Sequence, residues 1–161
     1  MTDTAATAEQ PLVSQTVRTA PVVEGFQPTM GRVLSSEGDL VVFQPRGTTY
    51  EIHLDKGENF VNPVGKPGKA VLRVKARKVY SVPSGGAFVV PIMGTPRIVQ
   101  GRVTDVLEAS GGVRRIVLQA GATVIVDLPA EDHAIDLGEG PIEAGGLVNV
   151  VCEPGAWIEP A

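Results

Sequence analysis

Two histidines and one cysteine are the main candidates for proton transfer, metal ligation or nucleophilic attack in this 161-residue chain. His53 stands between Glu51 and Asp55. Residues two apart on a strand share a face at a separation of about 7 Å. The trio could therefore form half of a metal or acid–base site, although a wetted outer strand face gives the same pattern. His133 follows Glu131 and Asp132 in a Gly-rich acidic stretch. Asp127, Asp132 and Asp136 could approach a cation there, but their spacing fits no calcium loop. Cys152 lies in the apolar run LVNVVCE, where a buried, inert thiol is the ordinary case. A single cysteine leaves no disulfide framework within the chain and no multi-cysteine zinc site. No serine sits in a nucleophile elbow. Gly65-Lys66-Pro67-Gly68-Lys69 offers two lysines to an anion, and Ser84-Gly85-Gly86 is a second Gly-rich loop. Neither has phosphate-loop spacing or clearly precedes a helix, so both read as turns. Nothing here assembles a nucleophile, a base and an orienting group. The expectation is a protein without catalytic residues, cofactor or metal.

Charge is more informative. The formal net charge of −4 hides a separation. Residues 21–90 hold nine Lys/Arg against six Asp/Glu, and residues 91–161 hold four against ten. The basic excess concentrates in Lys66, Lys69, Arg73, Lys75, Arg77 and Lys78, and no Lys or Arg follows Arg115. Every aromatic except Trp157 lies in the first half. Complementary potentials of this kind can steer one surface onto another. A basic strand with aromatics nearby could also neutralise phosphates and stack bases, although the acidic second half would repel a long polyanion.

The elements that must carry these groups are strands. Gly and Pro number 19 and 13, too frequent for long helices. Apolar β-branched runs of four to eight residues recur between them. Strands are predicted near 29–36, 39–44, 48–54, 69–81 and 86–93, then 97–108, 113–119, 122–128, 146–152 and 156–159. Ile52 and Leu54 alternate with Glu51, His53 and Asp55. Leu72, Val74 and Ala76 alternate with Arg73, Lys75 and Arg77, which predicts a buried face and a wet face. The stretch 130–145 reads as a loop. No apolar run approaches the ~18 residues that a membrane helix needs.

The chain also resembles itself. Residues 21–33 (PVVEGFQPTMGRV) and 91–103 (PIMGTPRIVQGRV) both open on Pro and end in Gly-Arg-Val. Residues 41–54 lie against 116–128 when registered on Gly47 and Gly121. Residues 68–83 lie against 145–160, which sets Val71 on Val148 and Tyr80 on Trp157. Three blocks in one order predict an internal duplication. The expected fold is all-β: a disordered tail over 1–20, a basic β-barrel module over 21–90 and an acidic one over 91–161, packed together. About five strands per copy suggest an OB-like or related Greek-key barrel. Arg32 and Arg102 recur in both copies, so a structural contact to carbonyls is expected of them.

The function expected from this is binding without catalysis, in the cytoplasm and away from membranes. Arg73, Lys75 and Arg77 would meet Glu131, Asp132, Asp136, Glu139 and Glu143 of a second copy, or an acidic protein partner. Single-stranded nucleic acid on the first module is the alternative. An enzyme with its site near His53 or His133 comes third.

Overall fold

Alternation of β-branched residues along the chain, cut by turns at Gly and Pro, becomes twelve strands in the computed structural model, which describes residues 28–108, 114–129, 135–136 and 142–161. They are β1 (Thr29–Glu37), β2 (Leu40–Pro45), β3 (Glu51–Lys56), β4 (Pro67–Val82), β5 (Phe88–Val90), β6 (Met93–Gly94), β7 (Ile98–Glu108), β8 (Arg114–Gln119), β9 (Thr123–Asp127), β10 (Ile135–Asp136), β11 (Leu147–Cys152) and β12 (Trp157–Pro160). No helix occurs among the described residues. The predicted tail over 1–20 and most of the predicted loop over 130–145 lie outside them.

Two predicted strands differ, for local reasons. The strand expected from 48 starts at Glu51. Thr48 donates its hydroxyl to the Pro45 carbonyl at 2.8 Å and accepts the Tyr50 N–H at 3.3 Å, which holds 45–50 as a turn. The strand expected over 86–93 splits into β5 and β6 around Pro91, which has no N–H to give a ladder.

Pairing runs in two circuits of five strands. The first passes from β1 to β2, β3, β12 and β4, and returns to β1. The second passes from β7 to β8, β9, β4 and β11, and returns to β7. In each, one pair is parallel, β3–β12 in the first and β9–β4 in the second, and the rest are antiparallel. The sixteen-residue β4 serves both circuits. Its first half pairs with β1 and β12, and its second half with β11. The circuits therefore do not follow chain order: β12, from the end of the chain, completes the ring of β1–β3, and β4 completes the ring of β7–β9.

Matched details recur in the two circuits. β1 shifts register between Val33 and Ser35, and β7 between Val103 and Asp105. Gly31 packs against the Gln44 carbonyl so closely that no Cβ fits, and Gly101 does the same against the Gln119 carbonyl. Gly65 donates its N–H to the Val33 carbonyl at 2.8 Å, and Gly145 donates to Val103 at 2.7 Å. Both glycines have positive φ. These contacts set Gly65 beside Gly145, whereas the sequence blocks set Gly68 there. The difference of three residues inverts the faces, so Tyr80 and Trp157 do not correspond. A Val-rich strand slides easily in a sequence comparison, and only hydrogen-bond register pins it.

Alternate residues of β4, from Ala70 through Leu72 and Val74 to Ala76, enter one apolar cluster. They meet Val33, Phe43, Ile52 and Leu54 of the first circuit and Val103, Ile116, Leu118 and Val126 of the second. Cys152 pairs with Ala76 and Val151 with Lys78, so Arg77 is an extra residue on β4. This bulge changes the parity. Val79 becomes the buried residue, and Arg77 and Lys78 are both exposed. The opposite face of β4 is covered as well, because Val71 packs with Val117 and Ile125 in a second cluster.

Hydrogen bonds tie the circuits together. Buried Thr29 of β1 donates to the Thr123 carbonyl and accepts the Thr123 N–H, both at 2.9 Å. The Tyr50 hydroxyl accepts the Val89 N–H at 3.1 Å.

Candidate functional site

The basic strand was expected to be wet along its whole charged face, and at Arg73 it is not. Arg73 retains only 8% of its surface exposed. Its side chain leaves β4 on the face opposite the main core, as alternation requires. There β12 and β9 flank it, and Val71 and Ile125 cover the same layer. The guanidinium donates from Nη1 to Glu159 at 3.1 Å and from Nη2 to Asp127 at 3.0 Å. It also stacks on Trp157, 4.9 Å from the ring centroid, within the range of a cation–π contact. Trp157 Nε1 donates to Glu159 at 2.8 Å, and Arg115 Nε donates to the same Asp127 oxygen at 3.1 Å. Two cations and two carboxylates from β4, β8, β9 and β12 thus neutralise one another. Within this cluster, Nε of Arg73 is buried without a partner among the described residues. The wet-face expectation for Arg73 is corrected by these contacts.

The rest of the basic strand is open. Lys75, Arg77 and Lys78 are exposed, and none forms an ion pair among the described residues. Of the acidic residues set against them in the sequence, Glu143 is exposed. Glu131, Asp132 and Glu139 lie outside the described residues, and for Asp136 only the backbone of β10, paired with Tyr80, is described.

The other candidates are dispersed. Glu51 and His53 are half-buried and Asp55 is exposed on β3. His133 lies outside the described residues. Cys152 is buried, and burial pushes its thiol pKa up to about 12. No group of three His, Cys, Asp or Glu among the described residues is placed to hold a metal ion. No described helix is long and apolar enough to cross a membrane.

Arg102 and Arg32 behave differently. Arg102 Nη1 donates to the Gly145 carbonyl at 3.0 Å, the structural contact expected of both. Arg32 makes no such bond. It lines a cleft of about 270 Å³ with Met30, Gly31, Gln44, Pro45, Arg46, Gly47, Thr48 and Pro67. Sequence reasoning passed over Arg46. Its signal is an extra residue: two residues separate Gln44 from Gly47, and one separates Gln119 from Gly121.

Compared with known proteins, the chain matches no family model and no curated protein.

Proposed function

We propose that the chain is an internally duplicated, OB-like pair of five-stranded units acting as a non-catalytic binding and assembly protein. Both circuits follow one strand order, in which the first strand pairs with the fourth and the third runs parallel to the fifth. That order, together with the matched bulges and glycines, supports an OB-like duplication. In this reading each copy lends its fifth strand to the other, which modifies the boundaries 21–90 and 91–161 without discarding them. A cytoplasmic location belongs to the same reading, since the single thiol is buried and unpaired.

One observation carries the functional part: Lys75, Arg77 and Lys78 are exposed cations within four residues of β4, without carboxylate partners among the described residues. The bulge at Arg77 turns what would be alternating charge into a continuous patch. Such a patch suits the acidic half of a second copy, with Glu143 among the contacts, or an acidic protein. Glu131, Asp132, Asp136 and Glu139 remain part of that proposed acidic surface. Light scattering across a salt series tests it. A mass above the monomer's 16.8 kDa is expected at low salt, falling as salt rises. A Lys75→Glu, Arg77→Glu, Lys78→Glu variant is expected to stay monomeric throughout. A monomer at low salt and high concentration overturns self-association.

Single-stranded nucleic acid is the second reading, favoured by one arrangement. Tyr80, Asn149, Gln100 and Phe88 form a cross-strand row beside Lys78 on the outer face. Two aromatics and a cation on one sheet face can stack bases and meet a phosphate. Fluorescence anisotropy with short single strands separates this reading from assembly, since binding must weaken in Lys78→Glu and Tyr80→Ala.

A further inference from the structure

We propose that the cleft between β1, β2 and the start of β4 binds a phosphate monoester. It lies apart from the patch at Lys75–Lys78, and the inference does not rest on the assembly reading.

Its volume of about 270 Å³ is just below the roughly 300 Å³ at which small-molecule pockets usually begin. The register places Arg32 between Gln44 on β2 and Pro67 on β4. The next row holds Met30 beside Lys69, and Arg46 donates its backbone N–H to the Met30 carbonyl at 2.8 Å. Arg32 and Arg46 are both exposed. Among the described residues neither is ion-paired and no carboxylate lines the cleft. Thr48 is already engaged with Pro45 and Tyr50. The donors left for a ligand are therefore the two guanidiniums and the Gln44 amide. Met30, Pro45 and Pro67 supply apolar walls.

The second circuit is an internal control. Gln119 stands opposite Arg102 as Gln44 stands opposite Arg32. There Arg102 is tied to the Gly145 carbonyl, and Arg46 has no counterpart. Gly65 occupies Gly145's place, yet Arg32 does not bond its carbonyl. The fold closes the equivalent place with one arginine held internally. The first circuit instead has two arginine side chains without a partner among the described residues. Two like charges lining one cleft repel each other, and an anion there relieves the repulsion. A guanidinium fork matches phosphate oxygens. A phosphate ester carries about −1.5 to −2 near neutral pH, a closer match to two arginines than a single carboxylate gives.

Titrating the full chain with phenyl phosphate at low ionic strength, followed by amide and arginine NMR shifts, tests the site. The expected result is one saturable process with shifts centred on residues 30–32, 44–48 and 67. Arg32→Gln and Arg46→Gln should each weaken it about tenfold or more, the scale of one charge-assisted hydrogen bond. Arg46→Lys keeps the charge but loses the fork, and should fall between. Arg114→Gln, on β8, should bind as the parent does. Benzoate should bind more weakly than phenyl phosphate. Shifts that fail to saturate, equal weakening by Arg114→Gln, unchanged affinity in Arg32→Gln with native spectra, or equal binding of benzoate would each overturn the proposal.

Discussion

Replacing Arg73 with Ala separates a structural lock from a solvated charge. In the native chain the guanidinium makes two charge-assisted hydrogen bonds, to Asp127 and Glu159, and stacks on Trp157. Removing one partner of a buried ion pair costs about 3–5 kcal/mol, because the remaining charge is left uncompensated. Two features place Arg73→Ala at the lower end. Asp127 keeps Arg115, and Glu159 keeps the Trp157 N–H. The unbonded Nε is itself a cost that the substitution removes. A loss of about 3 kcal/mol is therefore expected, equivalent to a Tm lower by roughly 6–12 °C in a chain of this size. Urea denaturation read by fluorescence is the assay, since Trp157 is the only tryptophan and touches the site. Its native emission should also change when the cation leaves the ring. The combined Arg73→Met, Glu159→Gln variant should recover part of the loss, because it neutralises the carboxylate left behind while Asp127 keeps Arg115. A change below about 1 kcal/mol, the range of a surface ion pair, with unaltered native emission would refute the lock and return Arg73 to a solvated face.

Two further outcomes follow from burial and backbone packing. With its pKa pushed up to about 12 by burial, the Cys152 thiol is protonated at neutral pH, so a disulfide reagent should label it only as the protein unfolds. Rapid labelling of native protein would contradict this. A raised folded pKa also fixes the sign of the pH effect: stability from the covered thiol is intact below about pH 9 and declines as pH rises toward 12. Gly31→Ala and Gly101→Ala would each push a Cβ into a facing carbonyl and should cost at least about 1–3 kcal/mol in denaturant titration. Gly86→Ala, where nothing lies within 4 Å, should be nearly neutral. Similar small effects at all three positions would deny the close approach of β1 to β2 and β7 to β8.

The strands were legible because their information is local. Ile52 and Leu54 are buried where alternation places them, and Leu72, Val74 and Ala76 face the core. Partner choice was not legible. The parallel pair β3–β12 joins Asp55 to Trp157 in a register of two residues, and no local pattern marks so short a match. Arg73 shows the same limit. Alternation gave the direction of its side chain, but Asp127 and Glu159 are distant in the sequence and arrive only when β9 and β12 flank β4. Arg46 left a trace. Gln44 and Gln119 correspond in the register opposite Arg32 and Arg102, while the glycines of the following turns are offset by one residue.

The pairing of β4 with β9 and of β12 with β3 and β4 alters what the opposed charges of the two halves can be used for. Arg73 belongs to the basic half, and its partners Asp127 and Glu159 belong to the acidic half. They meet at the crossing where β4 enters the second circuit and β12 the first. Part of the polarity that suggested intermolecular contact is therefore consumed within one chain, holding the shared strands in register. Asp127 accepts from both Arg73 and Arg115 through Oδ1, and Lys75, opposite it on β4, forms no ion pair among the described residues. The positive charge that this neutralisation does not reach includes the patch at Lys75, Arg77 and Lys78 and the separate pair of Arg32 and Arg46. Their separation matters, because a partner that covers the patch still leaves the cleft open, and an anion in the cleft does not screen the patch beyond a Debye length of about 10 Å at ordinary salt.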